Sequence, residues 1–223
     1  MKRIATCLSL LTFAWLPLGH AQEPAADPGL EPSTTLAPAT TGKPPAGDWT
    51  AYGRDKAATR YSPLDLINRD NVAELKPVWG YRTGNLPEQA VLDKKWAPET
   101  TPLKVGDNLY LCDALNVLVS LDAGTGRERW RYDPKVSTDH IPYSATCRGV
   151  SYYEVPDAPS DAACKRRIIE GTLDAELVAV DADTGQPCAD FGDGGHVDLM
   201  EGMGDSVPGY VAVTLSLKPT GVA

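Results

Sequence analysis

Five cysteines occur in the 223 residues. Cys7 lies in an apolar N-terminal run, and Cys112, Cys147, Cys164 and Cys188 lie in the body of the chain. Thiols of this kind form disulfides, bind metal, or stay free and buried. None of the spacings is C-x-x-C, and His140 and His196 form no ligand cluster with them, which argues against structural zinc. With Cys7 set aside as part of a leader, the four that remain are an even number, which in an exported chain points to disulfides. The expected pairs are Cys112–Cys147 and Cys164–Cys188, although spacing permits three connectivities and free buried thiols are the alternative. Asp190, Asp193 and Asp198 superficially resemble a calcium loop. They lack the alternating ligand pattern of an EF-hand, and a solvated loop is the simpler reading.

A second pattern concerns turns. LVSLDAGTGRERWRYD (Leu118 to Asp133) and LVAVDADTGQPCADFG (Leu177 to Gly192) both place an apolar strand ahead of Asp-Ala-x-Thr-Gly. Their aspartates, Asp122 and Asp181, are 59 residues apart. Each aspartate can accept bonds from backbone donors two or three residues on, and Thr125 and Thr184 can add a hydroxyl. Gly126 and Gly185 then supply the positive φ that such a hairpin needs.

Self-similarity at this spacing is the mark of a propeller or solenoid. Trp79, in the expected strand PVWGYRTG, and Trp130 are 51 residues apart, near the length of one blade. A large ring on an outer strand can wedge against the next blade. The second copy has Ala189 where the first has Trp130, with Phe191 two residues on, so it is degenerate. PLKVGDNLYLC predicts a hairpin turning at Gly106-Asp107, CRGVSYYE and KRRIIEGT predict two more strands, and INRDNVAEL a short helix capped by Asn68. The fold class is all-β.

The first 21 residues have the form of a cleavable export signal: Lys2 and Arg3, an apolar run from Ile4 to Leu18, then Gly19 and Ala21 at small-residue positions. The run is shorter than a bilayer crossing requires. Residues 22–47, rich in Pro, Ala and Thr, read as a linker with too little to bury. The domain then occupies 48–223. Setting aside Lys2 and Arg3 leaves 19 basic against 30 acidic residues, a formal charge of −11. That argues against nucleic acid as a partner, because phosphate binding needs clustered Lys and Arg. Nothing in the charge points to a membrane surface.

The segment DWTAYGRDKAATRYSPLDLINRDNVAELKPVWGYRTG resembles the opening of the pyrroloquinoline quinone (PQQ) dependent dehydrogenases, especially the glucose dehydrogenase type. The motif residues are Trp49, Tyr52, Gly53 and Arg54, then Arg60 to Leu64, then Ile67, Asn68, Asn71 and Val72. ETTPLKVGDNLYLC, LDAGTGRERWRYDP, TCRGVSYYE and CKRRIIEGTLDAELVAVDADTG continue the likeness. It implies the N-terminal blades of an eight-bladed β-propeller, incomplete in this chain, that holds PQQ and calcium in its channel. It also implies oxidation of a sugar or polyol hydroxyl, with electrons passed to a quinone.

Three cofactor-binding positions follow from the resemblance. Glu99 in PETTP would hydrogen-bond the cofactor's polar edge, Arg148 in TCRGV would pair with a PQQ carboxylate, and Thr172 in EGTLDAEL would bond the same ring system. Ser144 stands where glucose-type enzymes carry a stacking histidine; the nearest histidine is His140, and the adjacent cysteine pair of the alcohol branch is absent. The pattern is expected to fail between Tyr210 and Ala223, before any catalytic base or calcium ligand. The rival is a non-enzymatic periplasmic propeller scaffold. Its lipoprotein form would need a cysteine just after the leader, where this chain has Gln22.

Overall fold

The computed structural model describes residues 45–55, 57–84, 96–137 and 144–204. The export signal, almost all of the linker, His140 and the segment from Tyr210 to Ala223 lie outside the described residues.

Among the described residues, eight strands form two four-stranded antiparallel sheets in simple meander order. The first sheet comprises β1 (Leu103–Val105), β2 (Asn108–Cys112), β3 (Leu118–Asp122) and β4 (Glu128–Tyr132). The second comprises β5 (Ser151–Glu154), β6 (Arg166–Gly171), β7 (Glu176–Asp181) and β8 (His196–Asp198). Each sheet therefore has the form of one propeller blade.

Strand β3 shows why the segments stack. Leu118 joins a core shared with Ile168, Val178 and Val180 of the second sheet. Its alternate residues Val119 and Leu121 face the other way, onto Trp79 and Tyr81. With a period of two, a strand buried at every residue but the last needs cover on both faces. The next blade supplies one cover and the 79–81 segment the other.

The two repeat turns form as their residues require. Asp122 Oδ1 accepts from the Gly124 and Thr125 amides at 3.1 and 2.9 Å and from Thr125 Oγ1 at 2.8 Å. Asp181 Oδ1 accepts the same three bonds from Asp183 and Thr184 at 2.9–3.0 Å. Gly126 and Gly185 have φ of 70° and 73°.

Each glycine is also a seat for a ring. A Cβ on Gly126 would fall 2.4 Å from Trp79, and one on Gly185 2.7 Å from Trp130. Trp130 Nε1 donates to Ala182 O at 2.9 Å, and Tyr110 Oη donates to the same carbonyl at 3.0 Å. The expected wedge between blades is present. A more exposed tie joins them as well: Tyr132 Oη lies 2.9 Å from His196 Nε2, and His196 Nδ1 lies 2.8 Å from Glu176.

The turn aspartate gives an acid-stability prediction. The Thr125 hydroxyl, the Arg129 guanidinium and the Thr125 amide together hold the Asp122 carboxyl down to about 2. A folded-state value below the unfolded one stabilises above the ordinary carboxylate range, and that contribution is lost as pH falls toward about 2. Acid titration of Asp122→Asn should therefore lack a component between pH 4 and 2 that the parent chain shows. Superimposable acid curves would refute this.

Three sequence expectations shift. The helical turn is a 3₁₀ segment at Val72–Glu74, and its N-cap position is Asn71, not Asn68. The Asn71 side chain accepts from the Asn68 amide and donates to Leu66 O, closing the preceding loop instead of capping. Residues 77–83 form no strand among the described residues. Side chains hold them instead: Arg131 donates to Tyr81 Oη and Thr83 O, and Tyr81 Oη bonds Glu128. In the degenerate second copy, the chain loops from Cys188 to Gly195 before β8 pairs with β7. That face is covered by Phe191 and the Cys164–Cys188 disulfide.

Candidate functional site

Two segments lead into the first strands of the two sheets and run alongside each other. Residues 96–101 precede β1 and residues 144–149 precede β5. Parallel bridges join Trp96 to Ala145 and Thr101 to Gly149. The Ala97 amide donates to Ala145 O at 2.9 Å, and the Thr101 amide to Arg148 O at 3.0 Å. The pairing brings Glu99 and Arg148 together, with Arg148 Nε donating to Glu99 Oε2 at 3.1 Å. Their side chains are 52% and 57% exposed, so the guanidinium fork has open space for a second acid.

The floor beneath this pair is cross-linked. Cys112, at the end of β2, is disulfide-bonded to Cys147, the residue before Arg148. Thr100, the residue after Glu99, places Oγ1 3.4 Å from Cys112 Sγ. With the sulfur in a disulfide, the hydroxyl is the donor. The disulfide thus ties the backbone beside Arg148 to the first blade, and the Thr100 contact holds the backbone beside Glu99 against the same cysteine. Both disulfides have the expected connectivity.

Thr172 stands apart in chemistry. It is buried; its hydroxyl donates to Asp174 Oδ1 at 2.6 Å and accepts from the Glu176 amide at 3.0 Å. The hydroxyl is spent in the turn between β6 and β7. Ser144 Oγ lies 3.2 Å from Thr146 Oγ1. The three aspartates of the acidic loop have separate tasks. Asp190 pairs with Arg167, Asp193 bridges to the His196 backbone, and Asp198 Oδ1 accepts from the Met200 amide.

Two further residues escaped the sequence reading. Glu170 on β6 is 1% exposed, and Asn116, in the β2–β3 turn, donates to its Oε1 from Nδ2 at 2.7 Å. Asn116 Oδ1 accepts from the Leu173 amide at 2.9 Å, which fixes the amide's orientation. Glu170 Oε1 also lies 3.0 Å from Cys147 Sγ. Burial, with Asp113 adding to it, pushes the Glu170 carboxyl well above the usual range, and the Asn116 bond only partly opposes this. The signal was present in RRIIEG, where Glu170 falls on the same strand face as buried Ile168.

The comparisons with known proteins agree with this architecture. The family model described as PQQ: Glucose/ethanol/alcohol dehydrogenase, beta-propeller domain, matches residues 49–222, so the family pattern continues past Tyr210. The chain is 48% identical over 188 residues to a glycerol dehydrogenase large subunit from Gluconobacter thailandicus, covering 84% of this chain and 25% of that protein. It is 43% identical over 173 residues to a quinoprotein glucose dehydrogenase from Escherichia coli, covering 75% and 21%. Among solved structures, a quinohemoprotein alcohol dehydrogenase from Comamonas testosteroni matches with TM-score 0.54 and 30% identity, covering 70% of this chain and 20% of that one. The chain spans about a quarter of the length of these curated relatives. With the family pattern running from residue 49 to residue 222 over blade-forming sheets, the chain belongs to the PQQ-dependent dehydrogenase β-propeller family.

Proposed function

We propose that this chain supplies the first two blades of an exported PQQ-dependent dehydrogenase that oxidises a hydroxyl of a sugar or polyol. The observation that carries the reading is the exposed Glu99–Arg148 pair, set where the two blades' leading segments run side by side. The chemistry PQQ would supply when bound is two-electron oxidation of the hydroxyl carbon, with a quinone as the onward acceptor. Arg148 would hold a cofactor carboxylate through its planar fork, and Glu99 keeps that fork in one orientation. Calcium belongs to the same family reading, with its ligands outside this chain. Thr172 shapes the turn behind the site; its committed hydroxyl does not favour a direct contact. Relatives named for glycerol and for glucose dehydrogenase support a polyhydroxy substrate. The apolar leader and the small residues after it support export to the periplasm.

Equilibrium dialysis of the 223-residue polypeptide against PQQ and calcium tests the site. Arg148→Lys should weaken binding about tenfold or more, because a bidentate charge-assisted contact becomes a point contact. Equal affinity of the two proteins would sink the assignment. The polypeptide by itself is expected to show no turnover with glucose or glycerol and an artificial acceptor, since two blades do not close a channel.

A further inference from the structure

The contact between Glu170 and the Cys112–Cys147 disulfide has a chemical meaning independent of any cofactor. The two Sγ atoms and a carboxyl oxygen of Glu170 all lie within 4.8 Å of one another, and the three residues are buried. A disulfide sulfur has no proton to donate. The 3.0 Å contact between Cys147 Sγ and Glu170 Oε1 is therefore attractive only when the carboxyl carries the proton. The surroundings keep it there. Asn116 donates to the carboxyl without charge, and Asp113 on the same turn repels a second negative charge. Beyond Cys147, the cation of Arg148 is turned outward to Glu99.

We propose that Glu170 is the internal proton donor and acceptor for opening and closing the Cys112–Cys147 bond, so that this disulfide is a dithiol-responsive switch and Cys164–Cys188, whose neighbouring Asp190 carboxylate is exposed and ion-paired with Arg167, is not. A small dithiol enters as its thiolate and attacks one Sγ. The Cys112–Cys147 bond breaks as the mixed disulfide forms, and its electron pair goes to the departing sulfur. That sulfur takes the proton of Glu170, whose carboxylate is briefly held by Asn116 Nδ2. Glu170 recovers its proton from the reductant's second thiol. The resulting thiolate closes on the mixed disulfide and expels the other cysteine sulfur, which takes up the proton the reductant first released to solvent. The dithiol ends as a cyclic disulfide, two electrons having passed to the protein. Opening the bond frees the 144–149 segment from β2, and with it Arg148. Only that last consequence touches the cofactor reading.

The test measures reduction of both disulfides by dithiothreitol from pH 6 to 9, using differential alkylation and mass spectrometry. Glu170→Gln keeps the shape and an acceptor for Asn116 but removes the proton. It should slow reduction of Cys112–Cys147 by about 10²-fold, within the range of general acid catalysis, and leave Cys164–Cys188 unchanged. An unchanged or faster Cys112–Cys147 rate with the control pair unaffected would overturn the proposal. If the variant is misfolded, shown by acceleration of both pairs, the parent protein decides. At each pH, reduction of the parent protein in D2O should slow Cys112–Cys147 relative to Cys164–Cys188, because only the first pair has a protein acid giving up its proton as the S–S bond breaks. An unchanged ratio between H2O and D2O refutes it.

Discussion

Trp130→Ala is expected to cost about 3–5 kcal/mol of stability, the range for emptying the site of a large buried aromatic. The ring is 9% exposed, packs 5.9 Å from Tyr110, and lies against Gly185 of the second sheet. Its loss also removes one of the two donors to Ala182 O. Because domains of this size are stable by only ~5–15 kcal/mol, the blades should separate in a partly cooperative transition. Urea unfolding followed by circular dichroism would show this as a lower midpoint. Trp130→Phe provides the calibration: it keeps most of the apolar area and forfeits chiefly the Nε1 bond, worth about 1 kcal/mol. If alanine and phenylalanine variants unfold at the same midpoint, the ring is not the wedge described here.

The second large effect concerns the cross-links. The loops closed by Cys112–Cys147 and Cys164–Cys188 span 35 and 24 residues. Chain entropy then assigns each pair about 3–4 kcal/mol, too close to tell them apart by stability. Cofactor binding should separate them. Cys112→Ala/Cys147→Ala cuts the tie between β2 and the segment that carries Arg148, so PQQ affinity is expected to fall about tenfold. Cys164→Ala/Cys188→Ala should leave affinity near that of the parent. Parallel melting and dialysis of the two double variants would check this, and equal losses of affinity would count against a role for the first pair in holding Arg148.

Most of the fold was legible because its signals are local. Asp122 and Asp181 each close a turn with residues no more than three positions on, and Gly126 and Gly185 meet a backbone demand readable from one hairpin. The second role of those glycines, as seats for Trp79 and Trp130, was legible only through the spacing of the rings. The helix cap was misassigned because Asn68 and Asn71 are chemically equivalent and only the loop geometry chooses between them. Residues 77–83 have the composition of a strand, yet composition does not supply a neighbour with free ladder positions.

The candidate site was less transparent. The meeting of Glu99 and Arg148 depends on parallel bridging between segments 49 positions apart, which no local pattern encodes. Thr172 carried a family likeness, but its hydroxyl satisfies Asp174 and Glu176 within its own turn. Glu170 was passed over because a charged residue in a strand usually faces water; its partners, Asn116 and Cys147, come from two other places in the chain.

The two tryptophan seats also set an order of events. Trp79 waits for Gly126, and Trp130 for Gly185, so each ring is synthesised about 50 residues before the surface that covers it. A growing chain would therefore always carry one uncovered indole at its leading edge, buried only when the next turn emerges from the ribosome. Folding would advance like a zip, one tooth per blade. At each pause, the exposed ring is what a holding chaperone would meet.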